Sequence, residues 1–187
     1  MKKMAVIFPG IGYHSDKPLL YYSKKLVQEL GYEIVEVTYS GFPARILGDE
    51  KKMKESFLLA MEQTKERLKE YDLGETDDVL FISKSIGTAV AAAYAGREQL
   101  KVRHVLFTPV LETFGVGGSF DDAVAFHGTA DPWAGTEDIT ERCCSLKIPL
   151  FIAPDGNHSL ETGHVITDIR AVEECMKYIQ EFLSGKS

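Results

Sequence analysis

The sequence predicts an α/β protein, a three-layer sandwich built on a mainly parallel six-stranded sheet, and three observations lead there. Short runs rich in Val, Ile and Phe alternate with longer stretches of helical periodicity, the pattern of a sheet whose strands are joined by crossover helices. The chain has 187 residues, 44% of them apolar, which suffices for one well-buried core and is short for two. No internal repeat, low-complexity tract or Pro/Gly/Ser linker divides it, so residues 1–187 are expected to form a single domain.

In chain order, "MAVIFP" (4–9) reads as the first strand, ended by Pro9 and Gly10. A helix is expected over 17–30, where the apolar residues of "LLYYSKKLVQEL" recur at helical spacing and leave Lys24, Lys25 and Gln28 facing water. "YEIVEVTY" (32–39) is the second strand, followed by the irregular "SGFPARILGD" (40–49) and a charged helix over 50–71. "DVLFIS" (78–83) is the third strand, and the alanine-rich segment 86–98 is a helix able to pack close to the sheet. The fourth strand, "VRHVLFTP" (102–109), leads into a second irregular connection, "VLETFGVGGSFDD" (110–122). "AVAFHG" (123–128), a helix over 136–145, "PLFIAP" (149–154) and a helix over 167–184 complete the series. Both irregular connections leave the carboxyl ends of strands, the edge at which open α/β sheets bind ligands.

Charge and composition exclude several functions. A formal charge of −7 disfavours a nucleic-acid backbone or an anionic membrane as partner, and runs such as "DEKKMKE" and "KERLKEYD" read as solvated helix faces. The N-terminal "MKKMAVIFPGIG" has an apolar stretch too short for a secretory signal and no small-residue cleavage site behind it. No run is long enough to span a bilayer, and a cytoplasmic protein is expected. Cys143, Cys144 and Cys175 are sparse and lack C-x-x-C spacing, so they read as reduced, structural thiols. The five histidines show no ligand spacing, so neither a metal nor a cofactor is expected; His127 reads as a strand-end residue near the fifth-strand loop. Oligomeric state is not encoded legibly.

The chemistry concentrates around "ISKSIGT" (82–88). A strand, then small-x-Ser-x-Gly, then an immediate helix is the layout of a nucleophile elbow, with Ser83 and Gly87 at the positions that must be small and Ser85 at the exposed tip. The plainer alternative is a polar turn in which serine caps the helix. A serine nucleophile needs a base, and the base an orienting acid. Asp131, in "TADPWAG" after the fifth strand, and His158, in "DGNHSLE" after the sixth, follow Ser85 in the order Ser, Asp, His on the same edge. Alone, Asp131 reads as a turn residue and His158 as a loop histidine; the joint occurrence favours chemistry. Oxyanion donors are expected from the backbone N–H of Ile86, at a helix N-terminus, and of Ile11 in "PGIGYHSD", with Gly12 the next choice. With the sheet order 2-1-3-4-5-6, that loop adjoins the elbow. Tyr13 and Trp133 either line a pocket or pack their loops. Lys84 is either a solvated turn residue or a contact for an anionic acyl or leaving group.

Together, "FPGIGY", "SKSIGT", "HGTADPW" and "GNHSLE" make the chain resemble a small serine hydrolase of the α/β-hydrolase superfamily along nearly its whole length. The resemblance implies a reduced α/β-hydrolase fold without the first two strands or a cap domain. It further implies Ser85 as nucleophile, His158 as general base and acid, and Asp131 as the residue orienting the imidazole. The substrate implied is a small carboxylic ester or thioester, as for uncapped esterases, thioesterases and dienelactone-hydrolase-like proteins. The chain departs from the usual pattern in having Ser83 at the first small position and Pro9-Gly10 in place of His-Gly. Two alternatives stand beside this reading: a non-catalytic α/β module, and a nucleotide-binding one that uses the partial fingerprint "GIGYHS" with Glu33 or Glu36. A phosphate-binding loop ending at Lys84-Ser85 is rejected, because Asp78 and Ser83 stand where it needs glycines.

Overall fold

The computed structural model describes residues 2–185. Strand β1 (Lys3–Phe8) leads to helix α1 (Pro18–Glu29), β2 (Glu33–Glu36), α2 (Glu50–Leu68), β3 (Asp78–Lys84) and α3 (Ile86–Arg97). Then follow β4 (Arg103–Phe107), a 3₁₀ turn (Leu111–Gly115), β5 (Ala123–Gly128), α4 (Thr136–Ser145), β6 (Leu150–Ala153) and α5 (Val165–Ser184). The six strands form one parallel sheet in the order β2-β1-β3-β4-β5-β6, as expected.

Because strand side chains alternate between the faces of a sheet, β3 feeds two cores. Leu80 and Ile82 join Ala5, Ile7, Leu19, Val27 and Ile179 beneath α1 and α5. Val79 and Phe81 join Val6, Phe8, Ala60, Val90 and Ala91 beneath α2 and α3. Helix α3 is buried along nearly its whole length, which its alanines permit. Its Gly87 is required: a Cβ there would lie 2.5 Å from the carbonyl oxygens of Phe8 and Pro9.

Differences from the expected elements are local. Only Glu33–Glu36 of the second predicted strand pair with β1, though Val37 still donates to Ile7 O at 3.0 Å. Connection 110–122 contains the 3₁₀ turn, and α5 starts two residues before the expected boundary. Lys24, expected to face water, has a side chain only 12% exposed because it pairs with Glu36 at 2.9 Å. All three cysteines are free, Cys143 and Cys175 buried. Among the described residues, no helix is long and apolar enough to cross a membrane.

Candidate active site

Parallel pairing brings the ends of β1, β3, β5 and β6 to one edge, and the candidate residues converge there. Ser85 bridges β3 and α3 with φ 56° and ψ −127°, a left-handed conformation costly for a residue with a side chain. It occupies the N-cap position of α3, yet its side chain caps nothing. Its Oγ lies instead 2.7 Å from His158 Nε2. This geometry disfavours the capped-turn alternative. Ser83, fully buried, donates its hydroxyl to Val105 O at 3.1 Å and is used up in joining β3 to β4.

His158 is held from both sides. Its Nδ1 lies 2.7 Å from Asp131 Oδ2, whose other oxygen accepts the Trp133 amide at 2.8 Å. The Trp133 ring stacks on the imidazole at 5.4 Å and 29°. The two loops are stitched together: Ala130 N donates to Gly156 O at 2.9 Å, and Asp155 N to Thr129 Oγ1 at 2.8 Å. Asn157 Oδ1 accepts the Ser159 and Glu161 amides at 2.7 and 3.2 Å, folding the turn that presents His158.

Electrostatics suit a proton relay. Burial opposes the charge on Asp131, but the hydrogen bond and charge of His158, the Trp133 amide and His127 outweigh it, so the carboxyl titrates below its ordinary range. Burial lowers the pKa of His158 in spite of Asp131, and Lys84 and His127 push the same way, leaving the imidazole neutral near pH 7. His127 lies near the end of β5 as expected, next to Gly128, its Nε2 3.3 Å from Thr136 Oγ1 and its Nδ1 3.8 Å from Asp131 Oδ2.

The loop after β1 lies directly on the elbow: a Cβ on Gly10 would stand 3.1 Å from Ser85 Cβ. Gly10 and Tyr13 pair through their backbones at 3.1 and 3.3 Å, leaving the Ile11 and Gly12 amides between them, Gly12 at φ 73°. The Ile86 amide begins α3 beside Ser85. Tyr13 is buried, and its phenol oxygen accepts the Leu19 amide at 3.1 Å, so it secures this loop to the start of α1.

Beside the elbow, a groove of about 560 Å³ runs between α2 and the 3₁₀ turn. Ile86, Trp133, Leu47, Met53, Phe57 and Val110 make its apolar walls, with Asp49, Glu50, Lys54 and Glu112 adding charge. Both irregular connections thus contribute to it. Lys84 does not line this groove. At 1% exposure it is no solvated turn residue either, which corrects that expectation. Its register explains the burial: it follows Leu80 and Ile82 on the face of β3 beneath α1 and α5. Sequence reasoning also missed Thr108, at φ 40° after β4, whose hydroxyl donates to His158 O at 3.0 Å. It missed the 2.6 Å hydroxyl contact of Thr88 with Thr113 that ties α3 to the 3₁₀ turn. Neither carries a local sequence signal, since each partner is distant in the chain.

Comparison with solved structures decides the architecture. Est1E from Butyrivibrio proteoclasticus, solved with ferulic acid bound, superposes with a TM-score of 0.68 at 12% identity, over 97% of this chain and 90% of its own. An α/β serine hydrolase homologue from Coxiella burnetii gives 0.66 at 15% identity over 95% and 84%. XC6422 from Xanthomonas campestris, an α/β serine hydrolase without a lid, gives 0.63 at 14% identity over 97% and 80%. The chain has the α/β-hydrolase fold. No known family and no curated protein matches the sequence itself. Within this fold, Ser85 follows β3, Asp131 follows β5 and His158 follows β6, and the three side chains meet at one edge of the sheet.

Proposed function

We propose that the protein is a serine hydrolase of small carboxylic esters or thioesters. The observation that carries this reading is the pair of 2.7 Å contacts through which His158 joins Ser85 Oγ to Asp131 Oδ2. Serine attacks the substrate carbonyl carbon while His158 Nε2 takes the hydroxyl proton, and Asp131 supports the imidazolium that forms. The Ile86 and Ile11 amides receive the oxyanion. The carbon–oxygen or carbon–sulfur bond then breaks, the leaving group takes the proton from His158, and an acyl-enzyme remains. Water, deprotonated by His158, attacks the acyl carbon and releases the acid and Ser85. The esterase Pf2001 from Pyrococcus furiosus, sharing the fold, supports an ester as the class.

The apolar groove beside Ile86 suits an acyl group of short or medium length, with a volume inside the usual range for small-molecule sites. A nucleotide is disfavoured: α1 begins only at Pro18, and Tyr13 already occupies the Leu19 amide. The hollow beside Gly10 and Gly12 measures about 240 Å³. A fluorophosphonate probe tests the reading. Wild type should label on Ser85 and hydrolyse short p-nitrophenyl esters, and Ser85→Ala should do neither. A wild type that never labels would leave the non-catalytic module as the better account.

A further inference from the structure

Lys84 is a buried cation beside the candidate nucleophile, and the mechanism above does not use it. Among the described residues no carboxylate comes within ion-pair distance of its Nζ. What it meets is the face of Tyr13, with Nζ 5.0 Å from the ring centroid, while Lys17 approaches the same ring at 5.5 Å. Its aliphatic stem supports the other end of that turn, since a Cβ on Gly10 would lie 3.5 Å from Lys84 Cγ. Lys84 therefore underlies the whole Gly10–Tyr13 turn, the segment that carries the Ile11 and Gly12 amides.

We propose that Lys84 is a positioning residue of this site: it holds Tyr13, and with it the oxyanion loop, against Ser85, and its positive charge opposes protonation of His158. The inference rests on the hydrolase reading. A cation attracted to an aromatic face fixes that ring without neutralising itself, so the charge stays available to act on its surroundings. A carboxylate partner in ion-pair contact would cancel it. The Tyr13 ring lies against Lys84 and also meets Lys17, both from the β1–α1 connection, and the charges that act on Lys84 are those of Asp131 in the β5–α4 loop, Lys17, and Glu161 in the β6–α5 loop. Those acting on His158 are Asp131, Lys84 and His127. A neighbouring positive charge disfavours the imidazolium, so His158 remains a base at lower pH than it otherwise would. Burial brings Lys84 itself down to about 7, against Asp131 and Glu161 and with the help of Lys17.

The test is the rate of Ser85 labelling by a fluorophosphonate as a function of pH. Lys84→Met keeps the stem under Gly10 and removes the charge. Its acid limb should move up by roughly one pH unit, the order of shift that a nearby unit charge imposes, and its plateau should fall severalfold, because the cation that fixes the Tyr13 ring is gone. Tyr13→Leu keeps the charge and releases the loop, so its plateau should fall by about tenfold with the acid limb in place. A Lys84→Met profile that superimposes on wild type overturns the proposal. Should wild type not label at all, the hydrolase reading falls, and the charge effect is then decided by NMR titration of His158 in Ser85→Ala with and without Lys84→Met. Equal titration in the two overturns the role of Lys84; an upward move on removing the charge supports it.

Discussion

The same lysine has a consequence for stability that is separable from the proposed chemistry. The unfolded chain binds a proton at Lys84 up to its ordinary value of 10.5, whereas the native state releases it near 7. Between those values the unfolded state holds more protons, so stability rises with pH across the window. Below about 7 the lysine is protonated in both states and the full penalty of a buried ammonium is present. Lys84→Met removes the penalty and retains the packing volume. Its melting temperature should exceed that of wild type by at least about 3 °C near pH 6, and the gap should close toward about pH 10. Calorimetry at a series of pH values checks this, and a gap of constant size would refute it. A stabilised variant with an altered labelling profile is what a residue retained for function rather than for folding would show.

At the level of elements, the site depends on how closely its loops can approach. The β5 terminus at Gly128 touches the β6–α5 loop, and a Cβ there would collide with the Gly156 carbonyl and lie 2.7 Å from that of Asn157. Gly128→Ala must therefore push the Asp131 and His158 loops apart. It should lower stability by about 1–3 kcal/mol, the usual range for overpacking, and slow Ser85 labelling by about a hundredfold. Gly115→Ala, where a Cβ meets nothing within 4 Å, should change neither and serves as the control. Gly128→Ala labelling at the wild-type rate would show that the loops adjust without losing the relay. These dependencies also explain what was legible in the sequence. The strand–elbow–helix at Ser85 could be read because strand period, small flanking residues and alanines all act over short range. Asp131 and His158 could be read because each follows an apolar run at a strand end. Gly128 against Gly156, Thr108 under His158 and the burial of Lys84 could not, because each depends on a partner supplied by another strand or loop. The groove was half legible: its two rim loops stood out as irregular, but Met53 and Phe57 look like ordinary positions of a charged helix until α2 is packed against α3.

Considered as a whole, the molecule is acidic, and its candidate site shares that character. The chain carries a formal charge of −7, and the groove beside Ile86 has Asp49, Glu50 and Glu112 around it against Lys54 alone. The Lys84 ammonium lies on the other face of β3, beneath Tyr13, and offers an incoming acyl group no contact. An anionic substrate should thus be repelled on approach, and dissolved salt should relieve the repulsion by shortening the screening length from about 30 Å at 10 mM to about 8 Å at 150 mM. For a pair of esters of equal size, one neutral and one carrying a carboxylate on its acyl chain, kcat/KM of the anionic ester should be the lower at low salt. It should also rise by roughly two- to fivefold over that range of salt, while the neutral ester stays level. Equal salt responses would mean that the field at the groove is set by something other than these four side chains. A preference for the anionic ester at low salt would place Lys84 in contact with substrate after all, through a movement of Tyr13 that opens the β1–α1 loop.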